Sequence, residues 1–167
     1  MGELTPQERL QPSLLDRLTD EEPGRRDESR ERRVISPVRL RECVMRDLSW
    51  LLNCTHVEAD QDLSAFPLVA GSVINFGIPD VSGIPLSGVD VLDFERALRS
   101  AILAFEPRLL PETLRITAQV GADGSERKAL TFDIESEMWA QPLPLSLYLK
   151  TEVDLETGRL AISEHYG

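Results

Sequence analysis

Residues 105–116 read "FEPRLLPETLRI", and this stretch decides the fold. Upstream of it, apolar residues recur at helical spacing, with Phe94, Leu98, Ile102 and Phe105 on one stripe. Downstream the period drops to two, and Leu114, Ile116, Ala118 and Val120 alternate with Thr113, Arg115, Thr117 and Gln119. Pro107 stands at the change. Its ring disfavours α-helical geometry at the preceding residue, so a helix over about 89–106 ends at Glu106. Glu106 and Arg108 flank that proline, and three roles fit an acid and a base at such a corner: a catalytic acid, a structural clasp or a docking surface.

Working outward, "SPVRLRECVMRDLSWLLN" (36–53) is the clearest helix. Ser36 suits the N-cap and Pro37 the first helical position. Leu40, Val44, Leu48, Leu51 and Leu52 form its apolar stripe, and Arg39, Arg41, Glu42, Arg46 and Asp47 line a solvated side. A shorter helix is expected over about 64–76, with Phe66, Val69 and Val73 inward and Gly77 closing it. "GIPDVSGIPLSG" (77–88) has glycine and proline at turn spacing and reads as a loop.

On the other side of the corner, "ADGS" (122–125) is a turn. Leu130, Phe132, Ile134 and Met138 alternate with Thr131, Asp133, Glu135 and Glu137. Leu143, Leu145, Leu147, Leu149, Thr151 and Val153 alternate with Ser146, Tyr148, Lys150 and Glu152. "LETG" (155–158) turns the chain again, and Leu160 and Ile162 begin a short last strand. Short turns call for antiparallel pairing, and one oily sheet face calls for a cover. The fold class is therefore α+β: about three N-terminal helices packed on one face of a C-terminal antiparallel sheet of about four strands. Its last hairpin, roughly Ser146 to Ile162, offers an edge that an extended arm of another chain could extend, and proline at Ala161 or Ser163 is the change expected to obstruct it.

Residues 1–35 read as a flexible docking segment and linker, and 36–167 as one domain. "DEEPGRRDESRERR" (20–33) carries six acids, five bases and no large apolar residue, too little to offset its ordering entropy. "PSLLDRL" (12–18) precedes it, with Leu14, Leu15 and Leu18 on one face of a helical turn and Asp16 and Arg17 on the other. Such a tethered plug docks either on its own domain or on a partner.

The 167 residues carry a net charge of −11, concentrated after residue 56. A binder that tracks a nucleic-acid backbone needs a basic stripe, and the acidic body also disfavours anionic lipid. With neither an apolar signal core nor a run of the roughly 20 apolar residues that a span needs, the sequence predicts a cytoplasmic protein without direct membrane insertion. Cys43 and Cys54 lie eleven residues apart on one helix, roughly 16 Å at about 1.5 Å per residue, too far to pair. His56 and His165 have no ligand cluster beside them, so neither metal nor cofactor is expected.

No nucleophile elbow or phosphate-binding loop appears. A glycosidase needs a second carboxylate across a cleft, but Asp93 and Glu95 are more than two helical turns from Glu106, and Glu112 lies beyond the corner. Arg108, two residues on, also makes a poor proton donor of Glu106. As a clasp, the pair is either a local salt bridge or part of an interface. An exposed pair would contribute only about 0–1 kcal/mol to stability.

Five pieces in one order carry a resemblance: "PSLLDRL", "SPVRLRECVMRDLSWLLN", "FPLVAGSVINFGIPDVSG", "FEPRLLPETLRI" and "LKTEVDLETG". Together they resemble the TssE family of type VI secretion baseplate components, similar to the lysozyme-like wedge protein of contractile-tail phages. The likeness spans residues 12–158, and the family's Glu-Pro-Arg hallmark stands as Glu106, Pro107 and Arg108. It implies a structural role without enzymatic activity, in a baseplate at the cytoplasmic face of the inner membrane. The implied partners are TssF, TssG and TssK in the wedge and the sheath proteins TssB and TssC, whose polymer starts from it. It also implies that Glu106, Pro107 and Arg108 are an assembly clasp, with Leu14, Leu15, Asp16, Arg17 and Leu18 a second contact. The word "lysozyme" in the family's description implies peptidoglycan cleavage through Glu106, which the residues do not support. A free-standing adaptor is a further alternative.

Overall fold

A computed structural model of the chain describes residues 13–19, 35–59, 61–120, 130–140 and 143–164. The charged linker expected over 20–33, the "ADGS" turn and His165 lie outside the described residues. The helices are α1 (Leu14–Leu18), α2 (Pro37–Leu52), α3 (Pro67–Ala70) and α4 (Val91–Phe105). The strands are β1 (Arg115–Val120), β2 (Leu130–Met138), β3 (Leu145–Val153) and β4 (Leu160–Glu164).

Local chemistry sets the helix ends. The Ser36 hydroxyl accepts the Arg39 N–H at 3.1 Å and opens α2 just ahead of Pro37. The Asp90 carboxylate accepts the Leu92 and Asp93 N–H groups at 3.0 Å and opens α4. The expected stripes are buried: Leu40, Val44, Leu48, Leu51 and Leu52 on α2, and Phe94, Leu98 and Ile102 on α4.

The strands pair antiparallel in the order β1-β2-β3-β4. Register puts Ile116 opposite Ile134 and Ile134 opposite Leu149, so inward residues align in rows. Helix α4 lies against β1 and α2 against β4, covering the oily face of the sheet as the α+β reading requires.

Three expectations fail. The helix expected over 64–76 is two fragments, α3 and a 3-10 turn at Val73–Asn75. Gly71 ends the first, and the Ser72 hydroxyl, accepting the Ile74 N–H, starts the second. With no continuous helix there is no inward stripe: Phe66 and Val73 are exposed, as are Leu68 and Ile74. Leu143 is also exposed, because β3 begins two residues later at Leu145. Finally, the solvated side assigned to α2 is not all solvated. Arg41 meets Glu164 at 3.0 Å and donates to the Ser146 carbonyl, while Arg46 and Asp47 turn toward the corner.

The β4 edge is closed at its start by a side chain. The Asn53 amide donates to the Leu160 carbonyl at 3.0 Å, and its oxygen accepts the Leu160 N–H at 3.1 Å. Leu160 therefore points its backbone groups away from β3. In an antiparallel ladder alternate residues do the same, so Ile162 faces outward while Ala161 and Ser163 bond inward to β3. Proline at Ala161 or Ser163 would break the hairpin's own ladder and leave the outward edge intact, so the informative position is Ile162.

Gly77 holds the long loop against α2's end. Its φ is +134°, and a Cβ there would lie 2.3 Å from the Cys54 carbonyl oxygen. This close approach lets the Ile78 N–H donate to that same carbonyl at 2.9 Å. Gly77→Ala is expected to destabilise the protein by on the order of 2 kcal/mol or more, read from the urea midpoint.

Candidate functional site

The corner at Pro107 is where α4 ends and the chain crosses to the sheet. Glu106 is the C-terminal cap of α4, and a carboxylate there faces the unfavourable end of the helix dipole. Its side chain turns back over Pro107. One oxygen accepts the Arg108 backbone N–H at 3.0 Å and Nε at 2.7 Å, and the other accepts Nη2 at 2.5 Å. Arg108 thus supplies three donors that offset the dipole, in the forked geometry that matches a carboxylate. Backbone bonds pin the same corner to the end of β2: the Trp139 N–H donates to the Arg108 carbonyl at 2.7 Å, and the Leu110 N–H to the Glu137 carbonyl at 2.8 Å.

This pair is not an exposed one. The Glu106 side chain is 3% exposed and Arg108 20%. Two residues that the sequence reading set apart complete the site. Asp47 on α2 accepts Arg108 Nη2 at 2.6 Å, and Arg46 beside it reaches both Asp47 at 2.7 Å and Asp16 of α1 at 2.8 Å. Asp16 stands 4.0 Å from Arg108 Nη1, which is buried and makes no hydrogen bond. Three carboxylates and two guanidinium groups from α1, α2 and the corner therefore form one cluster. Trp50 carries the Arg46 guanidinium on its ring face at 5.1 Å.

Burial opposes the charge on Arg108, but its hydrogen bonds to Glu106 and Asp47 outweigh that and hold the guanidinium above its ordinary value. Burial likewise raises Asp16, but hydrogen bonds from Ser13, Arg46 and Cys43 outweigh it and take the carboxyl from 3.8 to about 2. Burial and the neighbouring Asp16 push the Cys43 thiol up to about 11, the mark of an inert cysteine.

Helix α1 meets the domain through its polar side. Asp16 is the inserted residue, while Leu14, Leu15 and Leu18 are exposed, two of them at 70% and 73%. Arg17 is exposed too. One Asp16 oxygen caps α1 by accepting the Ser13 N–H at 3.1 Å and hydroxyl at 2.6 Å, and the other takes Arg46. The signal for this was present as "SLLD" (13–16), a capping box. For Asp47 the signal is faint: Arg39, Cys43, Arg46, Asp47 and Trp50 share a second side of α2, at positions i, i+4, i+7, i+8 and i+11.

The arrangement suits holding elements together and offers little for proton transfer. Both Glu106 oxygens are occupied by Arg108. Among the described residues there is no cluster of histidine, cysteine and acidic side chains able to hold a metal, and no helix long and apolar enough to cross a membrane.

The profile of the family described as baseplate wedge protein gp25 matches residues 38–143, most of the chain and all of the corner. The chain belongs to the baseplate wedge protein gp25 family. This is the family of TssE, and its members are structural components of a baseplate. No curated protein and no solved structure matches the chain. For a wedge protein the exposed apolar residues gain interest. Phe66, Leu68, Val73 and Ile74 crowd one short segment, with Leu68 at 89% exposure, and the sequence reading had placed two of them in the core.

Arg108→Ala is expected to cost about 3 kcal/mol, because Glu106 and Asp47 would be left buried without their donor. Arg108→Lys should recover less than half of that loss, since an ammonium cannot fork. Urea unfolding of the three proteins reads both values. Asp16 gives a pH signature. Its folded value lies below its unfolded one, so its contribution is present above about pH 4 and lost as pH falls toward 2. Asp16→Asn should lower stability by up to about 2 kcal/mol near neutral pH, with the gap to wild type closing over that acid range.

Proposed function

We propose that this wedge protein works in the baseplate of a type VI secretion system and provides the surface from which the contractile sheath starts. The observation that carries this reading is the outward edge of β4. Among the described residues no hydrogen bond reaches the outward N–H and C=O of Ile162, while Asn53 occupies those of Leu160. An open edge of this kind accepts an extended arm, with main-chain bonds giving affinity and alternate side chains giving register. In this reading the arm belongs to a sheath protein of the TssB or TssC type. TssF, TssG and TssK are the proposed wedge partners. They meet the Glu106–Pro107–Arg108 corner and the outward leucines Leu14, Leu15 and Leu18, with Asp16 and Arg17 between them. The protein acts at the cytoplasmic face of the inner membrane, as a scaffold with no catalytic group of its own.

Ile162→Pro tests the edge. Proline removes the outward N–H and leaves the β3 ladder intact, which an edge strand tolerates. The expected result is a folded, expressed protein that still joins the wedge, in cells that have lost their fluorescent sheath foci. Foci at wild-type number, with the variant shown to be folded, would place the sheath contact elsewhere.

A further inference from the structure

Helix α1 is attached to the domain in an unusual way. None of its residues is fully buried, and its three leucines face outward. Its five residues are too few to hold helical structure without support. What joins it to the fold is the Asp16 side chain, which is 8% exposed and reaches Arg46 at 2.8 Å and the Cys43 thiol. The receiving site is also incompletely filled. Arg108 Nη1 is buried without a hydrogen bond, and the nearest carboxylate oxygen, on Asp16, is 4.0 Å away.

Take α1 away and the charges become informative. Arg46 and Arg108 then face Asp47 and Glu106, two against two. Arg108 Nη2 and Nε stay committed to those acids, and Arg46 Nη2 keeps its contact with Asp47 at 2.7 Å, while Arg108 Nη1 and the second N–H of Arg46 Nη2, the one that held Asp16, face the vacated place. Two guanidinium groups presenting spare donors to one spot recognise a carboxylate. A carboxylate that also caps the start of a helix, as Asp16 does through Ser13, arrives with its backbone already organised.

We infer that the Arg46–Arg108 pair is an exchangeable docking site for the acidic first turn of a helix, and that α1 is its resident occupant. The external ligand is a helical segment beginning Ser or Thr, two residues, then Asp or Glu, and it binds by displacing Asp16. This deepens the partner-facing reading of the corner and rests on it.

The test uses the full chain and an acetylated peptide with the sequence of residues 13–19, followed through the Trp50 indole and the arginine Nε–H signals in NMR spectra. In the Asp16→Asn chain the resident carboxylate is gone, and the peptide is expected to bind and shift these signals. In the wild-type chain the tethered α1 should hold it off, weakening the apparent affinity by about tenfold or more. A peptide with Asn at its fourth position should bind the Asp16→Asn chain about tenfold more weakly than the acidic one. Arg46→Gln, which leaves the Ser13–Asp16 cap intact, should release α1 and abolish peptide binding together, separating docking from helix capping. Equal binding to wild type and Asp16→Asn, equal binding of the two peptides, or no binding to Asp16→Asn would each overturn the inference. No baseplate component is present in the titration, so its failure leaves the wedge assignment standing.

Discussion

The Arg108 guanidinium is the point on which the corner depends. It lies where a helix running one way must hand over to a strand running another, at a place where Pro107 can donate no hydrogen bond. The carboxylate of Glu106 bends back to collect Arg108's own N–H and two of its side-chain nitrogens. Asp47 binds the same guanidinium from within α2, so the body of one helix, the end of another and the entry to the sheet share one cation. A charge this enclosed is tolerated because its hydrogen bonds are made with good geometry, and removing either side would leave the other stranded. The clasp is an internal one, whatever else it meets in an assembly.

That finding reframes how a baseplate wedge protein could use the corner. A local salt bridge and an interface need not be alternatives. The cluster fixes the corner internally, while the α1 leucines lie outside it and the tryptophans Trp50 and Trp139, beside it in the chain's bonding, are half-exposed. The buried charges hold shape, and the apolar side chains around them offer contact area. The exposed group Phe66, Leu68, Val73 and Ile74 lies on a different segment, α3 and the 3-10 turn after it, ahead of the loop that Gly77 anchors to Cys54. An apolar residue in a broken helix is exposed because no continuous face exists to carry it inward.

Periodicity made most of the fold legible. Helices α2 and α4 and all four strands lie where the apolar period put them, and the corner between them was marked by Pro107. Short-range signals were harder to weigh. Gly71 and Ser72 cut the 64–76 helix in two, and a period drawn over a few residues cannot see such a cut. Long-range pairing left only faint local traces. Arg108 meets Asp47 across 61 positions and Arg46 meets Asp16 across 30, and neither spacing is a pattern. The side by which α1 meets the domain has only a faint local signature too. The three leucines left docking on the domain or on a partner open, and a single carboxylate with two hydrogen-bonding tasks turns them outward.

Asn53 has a consequence of its own. By pairing with both backbone groups of Leu160 it imitates the last residue of a neighbouring strand. Under the proposed edge pairing, a strand laid along β4 would meet this side chain as a doorstop and slide no further toward the 155–158 turn. Sliding by one residue would turn every side chain of the newcomer to the opposite face of the sheet. A single amide at the end of α2 thus bounds the open edge on one side.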